Sequence, residues 1–116
     1  MAQTIAEKLF SRHNLTGAKV AAGDILEARI DGAMVHYHAN EPMYDLALQA
    51  GFKDGLPRVW DRDRVFVLLD HHQPTLSQKQ ADENALIRRE VARLGIRCFH
   101  DSEPGIAHQM MADYGL

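Results

Sequence analysis

The sequence has 116 residues, 46% hydrophobic and 25% charged, with a formal net charge of -3 when histidine is neutral. These proportions suit a globular domain with a core of its own, and they exclude binding to nucleic acid or an anionic membrane through net positive charge. The longest apolar run, residues 65–69, is far too short to span a bilayer.

In chain order, the first element is a short helix. Thr4-Ile5-Ala6-Glu7 fits a capping box, and Ile5, Leu9 and Phe10 fall on one face. No basic stretch leads into an apolar one at the N-terminus, so no signal peptide is expected. Asn14 to Gly17 ends the helix, and Gly23-Asp24 opens an expected strand at residues 25–30, whose pattern partly alternates. A second helix is expected after Asn40, with Pro42 in its first turn, Met43, Leu46, Ala47 and Ala50 as its stripe, and Gly51 at its end. Residues 53–64 form a loop carrying the charge run Asp61-Arg62-Asp63-Arg64.

The centre of the chain reads most clearly. Residues 65–69 are apolar at every position, which predicts a strand buried on both faces. Asp70-His71-His72-Gln73-Pro74 follows it directly. A long helix is predicted from about Ser77 to Leu94, with Ala81, Ala85, Leu86, Arg89, Val91 and Ala92 at roughly helical spacing and Gly95 as its stop. Residues 96–100 read as a second strand, and Gly105-Ile106-Ala107-His108 as the start of another helix. Strand, helix, strand at this spacing predicts parallel strands and an α/β fold, with a small, mostly parallel sheet and flanking helices in a single domain over residues 1–116.

In open parallel sheets, ligands bind beyond the carboxyl ends of the strands. The expected topology puts Asp70, His71 and His108 at one such edge, provided the two strands are neighbours. A carboxylate bonded to one imidazole nitrogen fixes the tautomer, and such a histidine can exchange a proton with a hydroxyl. The pairing requires the chain to leave its strand near Asp70, because successive strand side chains point to opposite faces. The bland alternative is a loop that only satisfies its own backbone, with His108 on a helix surface. His36 and His38 would share a face if they lie on a strand, but two histidines make a thin metal site. The single cysteine, Cys98, allows no internal disulfide, so the cytoplasm is the expected compartment. It also cannot hold an iron–sulfur cluster alone. The helix charges Arg88, Arg89, Glu90 and Arg93 read as solvated surface.

Three blocks taken together carry a resemblance. Thr4-Ile5-Ala6-Glu7-Lys8-Leu9-Phe10, the strand end Leu69-Asp70-His71 with Pro74 after it, and Gly105-Ile106-Ala107-His108-Gln109 keep the order and spacing of one family. The sequence resembles the N-terminal part of the aconitase superfamily, in the branch of isopropylmalate dehydratase and homoaconitase large subunits. The resemblance implies a partial aconitase-type domain from a hydro-lyase of amino-acid biosynthesis, such as leucine biosynthesis. Such an enzyme isomerises a hydroxy di- or tricarboxylic acid by removing and re-adding water at a [4Fe-4S] cluster. It further implies that Asp70 and His71 serve proton transfer and that His108 is the second active-site histidine. His38 and Asn40 stand where the family has a substrate-contacting turn, although the residues here differ from the family's.

The implied partners are the hydroxy-acid substrate, the remainder of the large subunit and a small swivelling subunit, with a homo-oligomer also compatible. The family's next motif, Gly-Asp-Ser-His-Thr, and its cluster cysteines would follow Leu116, so the sequence is expected to be a piece of a longer enzyme, inactive alone. A second reading is a short, non-catalytic protein of the same fold that binds a carboxylate or another subunit. A third is a metal protein built on His36, His38, His71 and His72.

Overall fold

The computed structural model describes residues 2–36, 44–71, 73–101, 105–113 and 115. The chain divides into two compact units, Met1–Asp31 and Gly32–Leu116.

In the first unit, helix α1 spans Ile5–His13 and carries the expected capping box. The Thr4 hydroxyl accepts the Glu7 N–H while the Glu7 carboxylate accepts the Thr4 N–H at 2.7 Å, so two orphan donors are satisfied reciprocally. None of the α1 residues is buried, and Ile5, Leu9 and Phe10 are exposed. Polar contacts hold the following chain: the Val20 N–H donates to Ser11 Oγ at 2.8 Å, and Gln3 donates to the Val20 carbonyl at 3.2 Å. Residues 25–30 do not form the expected strand. They contribute one antiparallel bridge, Asn14 to Ala28. Ile25 and Ile30 are exposed, so the alternation there has no second layer to bury it.

The second unit is built on a fully parallel three-stranded sheet in the order β1-β2-β3. The strands are β1 (Ala33–His36), β2 (Val65–Leu68) and β3 (Cys98–His100). The α/β reading with a small parallel sheet holds. The first strand, however, lies at Ala33–His36, a stretch that carries no distinctive sequence signal. Residues 44–49 are helical, as expected after Asn40, and of the described part of that stripe Ala47 is buried while Leu46 is exposed. Met43 lies outside the described residues.

Central strand β2 is buried at all four positions. Its alternating side chains feed two cores. Val65, Val67 and Leu69 pack with Ile87 and Val91 on one face, and Phe66 and Leu68 pack with Ala107 on the other. Helix α2 (Gln78–Leu94) supplies the first of these layers. Ser77 caps its N-terminus, and Gly95 ends it in the left-handed conformation at φ 68°, which glycine adopts without a Cβ penalty. Its buried face is Asn84, Ile87, Val91 and Leu94, at offsets of three and four, so Val91 of the expected stripe is buried while Ala81, Ala85, Leu86, Arg89 and Ala92 are not. Helix α3 spans Ala107–Asp113 and buries Ala107 against the opposite face. Among the described residues, no helix is long and apolar enough to cross a membrane.

Candidate functional site

The site begins where β2 ends. The strand closes at Leu68, and the Leu69 N–H still donates to the His100 carbonyl at 3.1 Å, so the edges of β2 and β3 stay level. Beyond Leu69 the chain leaves the sheet, which is the condition under which Asp70 and His71 can meet. They do: Asp70 Oδ1 lies 2.6 Å from His71 Nδ1. A carboxylate can only accept, so Nδ1 carries the proton of this bond. The other oxygen, Oδ2, accepts the backbone N–H of Ala107 at 2.8 Å. Ala107 is the first residue of α3, and His108 is the second.

The Asp70 side chain is 11% exposed and that of His71 38%. Burial pushes the Asp70 carboxyl up, but the Ala107 N–H, the His71 hydrogen bond and the His71 charge outweigh it and hold the group below the ordinary carboxylate range. Asp70 is therefore ionised at neutral pH, as an acceptor for two donors must be.

The parallel order brings three of the expected residues to one edge. Asp70 and His71 follow β2, and α3 with His108 follows the neighbouring β3. His108 itself is exposed. His36 ends β1 opposite Leu68, at this same carboxyl edge. His38, Asn40 and His72 lie outside the described residues. Among the described residues, no group of three or more His, Cys, Asp or Glu side chains is placed to hold a metal ion.

Two contacts at this edge have no motif in the sequence. One is the Ala107 N–H to Asp70 bond, whose only trace is a small-residue lead into a helix after the second strand. The other is a fork: Arg88 on α2 donates from Nε and Nη2 to Asp101 at 2.7 and 2.6 Å, tying the helix to the residue that follows β3. Arg93 also pairs with Glu90, so helix charges read as solvated surface are partnered there, and Arg97 pairs with Asp63.

No family model matches the chain. Individual proteins do match it, along nearly its whole length. It is 36% identical over 115 residues to the 3-isopropylmalate dehydratase large subunit 1 of Methanopyrus kandleri, which covers 99% of this chain and 26% of that protein. It is 34% identical over 116 residues to the 3-isopropylmalate dehydratase large subunit of Herpetosiphon aurantiacus, covering 100% of this chain and 27% of that one. The methanogen homoaconitase large subunit of Methanocaldococcus jannaschii is 36% identical over 110 residues, with 95% of this chain and 24% of that protein covered. The chain thus spans about a quarter of the length of the curated relatives it matches.

Proposed function

The chain belongs to the family of the 3-isopropylmalate dehydratase and homoaconitase large subunits, and from that premise we propose that it supplies part of the active-site wall of a cytoplasmic hydro-lyase. The reaction is the isomerisation of a hydroxy di- or tricarboxylic acid, such as isopropylmalate, by dehydration and rehydration. Residues 1–116 are read as the N-terminal segment of the catalytic domain, working with the rest of a large subunit and with a small subunit. The observation that carries this reading is the Asp70 carboxylate, bonded to His71 and to the first N–H of the helix that bears His108. The Nδ1 proton of His71 is held by Asp70, so proton exchange with the substrate hydroxyl falls to Nε2. His108 is the second proton-transfer group, and His38 and Asn40 are assigned to substrate contact.

The residues of this chain do not fit a [4Fe-4S] cluster. Cys98 is the one cysteine, and its Sγ donates to the Asp63 carbonyl at 3.3 Å. Burial and the nearby Asp63 and Asp61 carboxylates push its thiol up, away from the thiolate a cluster requires. The reading assigns the cluster to other residues of the complete enzyme, and the 116-residue chain is expected to be inactive alone.

The test is His71→Gln and His108→Gln, each in the complete, cluster-loaded enzyme. Each is expected to lower kcat by about 10²–10⁴-fold, the usual contribution of general acid–base catalysis, while the cluster absorption stays unchanged. Losses below about tenfold in both variants would sink the assignment. So would measurable turnover of a hydroxy acid by the isolated chain.

A further inference from the structure

Asp70 serves two elements with two oxygens. Oδ1 holds the ring of His71 at 2.6 Å, and Oδ2 holds the N–H that opens α3 at 2.8 Å. The two partners differ in kind. His71 is a loop residue with an exposed ring, whereas Ala107 is fully buried against Phe66 and Leu68. Rotation of the carboxylate about its terminal torsion would break both bonds at once, so each bond fixes the orientation used by the other.

We propose that Asp70 is a positioning residue for both histidines, holding His71 through its ring and His108 through the backbone of α3, so that one carboxylate sets their geometry as a unit. The inference rests on the reading of His71 and His108 as proton-transfer groups. It goes further in assigning Asp70 an action on His108 that does not pass through His71.

The charge of Asp70 is what makes the link firm. Both bonds are charge-assisted and correspondingly strong. Protonating either oxygen converts an acceptor into a donor facing an N–H. Neighbouring charges do not substitute for it. Asp101, which follows β3, is engaged by Arg88, and His71, when protonated, is the charged side chain acting on the Asp70 carboxylate among the described residues.

The first test is an acid titration of the 116-residue chain followed by nuclear magnetic resonance. The Ala107 amide and the His71 ring are expected to respond at one shared midpoint, below the ordinary aspartate value, while the Val67 and Leu68 amides report an intact sheet. His71→Gln should raise that midpoint without abolishing the Ala107 response. An Ala107 amide that does not move, or that moves at a midpoint of its own, overturns the proposal. These signals do not depend on turnover, so that failure would leave the hydro-lyase reading standing.

The second test is a double-mutant cycle in the complete enzyme. Adding Asp70→Asn to His71→Gln is expected to lower kcat by a further factor of about ten, because His108 then loses its own placement. No additional loss on the His71→Gln background would mean that Asp70 acts only through His71, and would overturn the proposal.

Discussion

Helices α1 and α2 share a design and differ in fate. Each opens on a hydroxyl cap, Thr4 or Ser77, and each carries apolar residues at helical spacing. Yet α1 buries no residue, whereas α2 buries Asn84, Ile87, Val91 and Leu94. The difference extends to their units. Among the described residues, the buried residue of Met1–Asp31 is Val20, while the two hydrophobic clusters lie in Gly32–Leu116. Capping and periodicity specify that a helix forms; burial depends on whether a second apolar layer is available to meet it. In the second unit that layer is β2, apolar on both faces. In the first unit, hydrogen bonds do the holding: Ser11 and Glu7 accept the N–H groups of Val20 and Ala22, Gln3 donates to the Val20 carbonyl, and His13 turns its two ring nitrogens to Asp31 and the Leu9 carbonyl at 2.6 and 2.9 Å.

This contrast can be broken from either side. Leu68→Ala removes a side chain 1% exposed at the centre of the sheet, and should cost about 2–5 kcal/mol by cavity formation. Denaturant unfolding followed by sheet and α2 signals would show it. An effect of the same size on α1 would mean that the two units unfold as one.

Asp70→Ala removes the acceptor for the first N–H of α3 together with the anchor of His71; a loss of about 1–2 kcal/mol is expected, as for other helix-start acceptors. The pH dependence has a definite sign. The folded-state pKa of Asp70 lies below its unfolded value, so its contribution is present above the unfolded pKa and fades as pH falls through the folded one. Wild-type stability should therefore drop in acid more steeply than that of the alanine variant, as read from melting midpoints across a pH series.

Arg88→Ala opens the fork to Asp101. Both side chains are well exposed, at 43% and 36%, so the expected cost is about 0.2–1 kcal/mol, shrinking as salt is added. At the small end, Leu9→Ala on the exposed stripe of α1 should change the stability of the isolated chain by less than about 0.5 kcal/mol. A larger loss would show that this face is covered in solution.

Legibility followed the same divide. The run at residues 65–69 and the Ser77 and Gly95 boundaries of α2 were readable because each is a local statement about backbone or about two-faced burial. The expected strand at residues 25–30 failed because partial alternation describes a strand only where a neighbour and a core exist, and the bridge at Ala28 is all that forms. Conversely, Ala33–His36 became a strand because β2 offered it a parallel edge, with Ala33 opposite Val65. At the site, the adjacency of Asp70 and His71 was visible, and three sequence blocks in register pointed to the family. The bond between Asp70 and Ala107, 37 positions apart, was not visible.

The sequence alone therefore determined the local states: two capped helices, a strand apolar on both faces, and a carboxylate next to an imidazole at that strand's end. Those depend on residue type and near-neighbour spacing. Only the tertiary structure decided which apolar stripe was buried, which weak stretch became the third strand, and that one Asp70 carboxylate joins His71 to the start of the helix carrying His108. Such outcomes depend on partners distant in the chain, and no local pattern encodes the meeting of a side chain with a backbone N–H that every residue except proline carries.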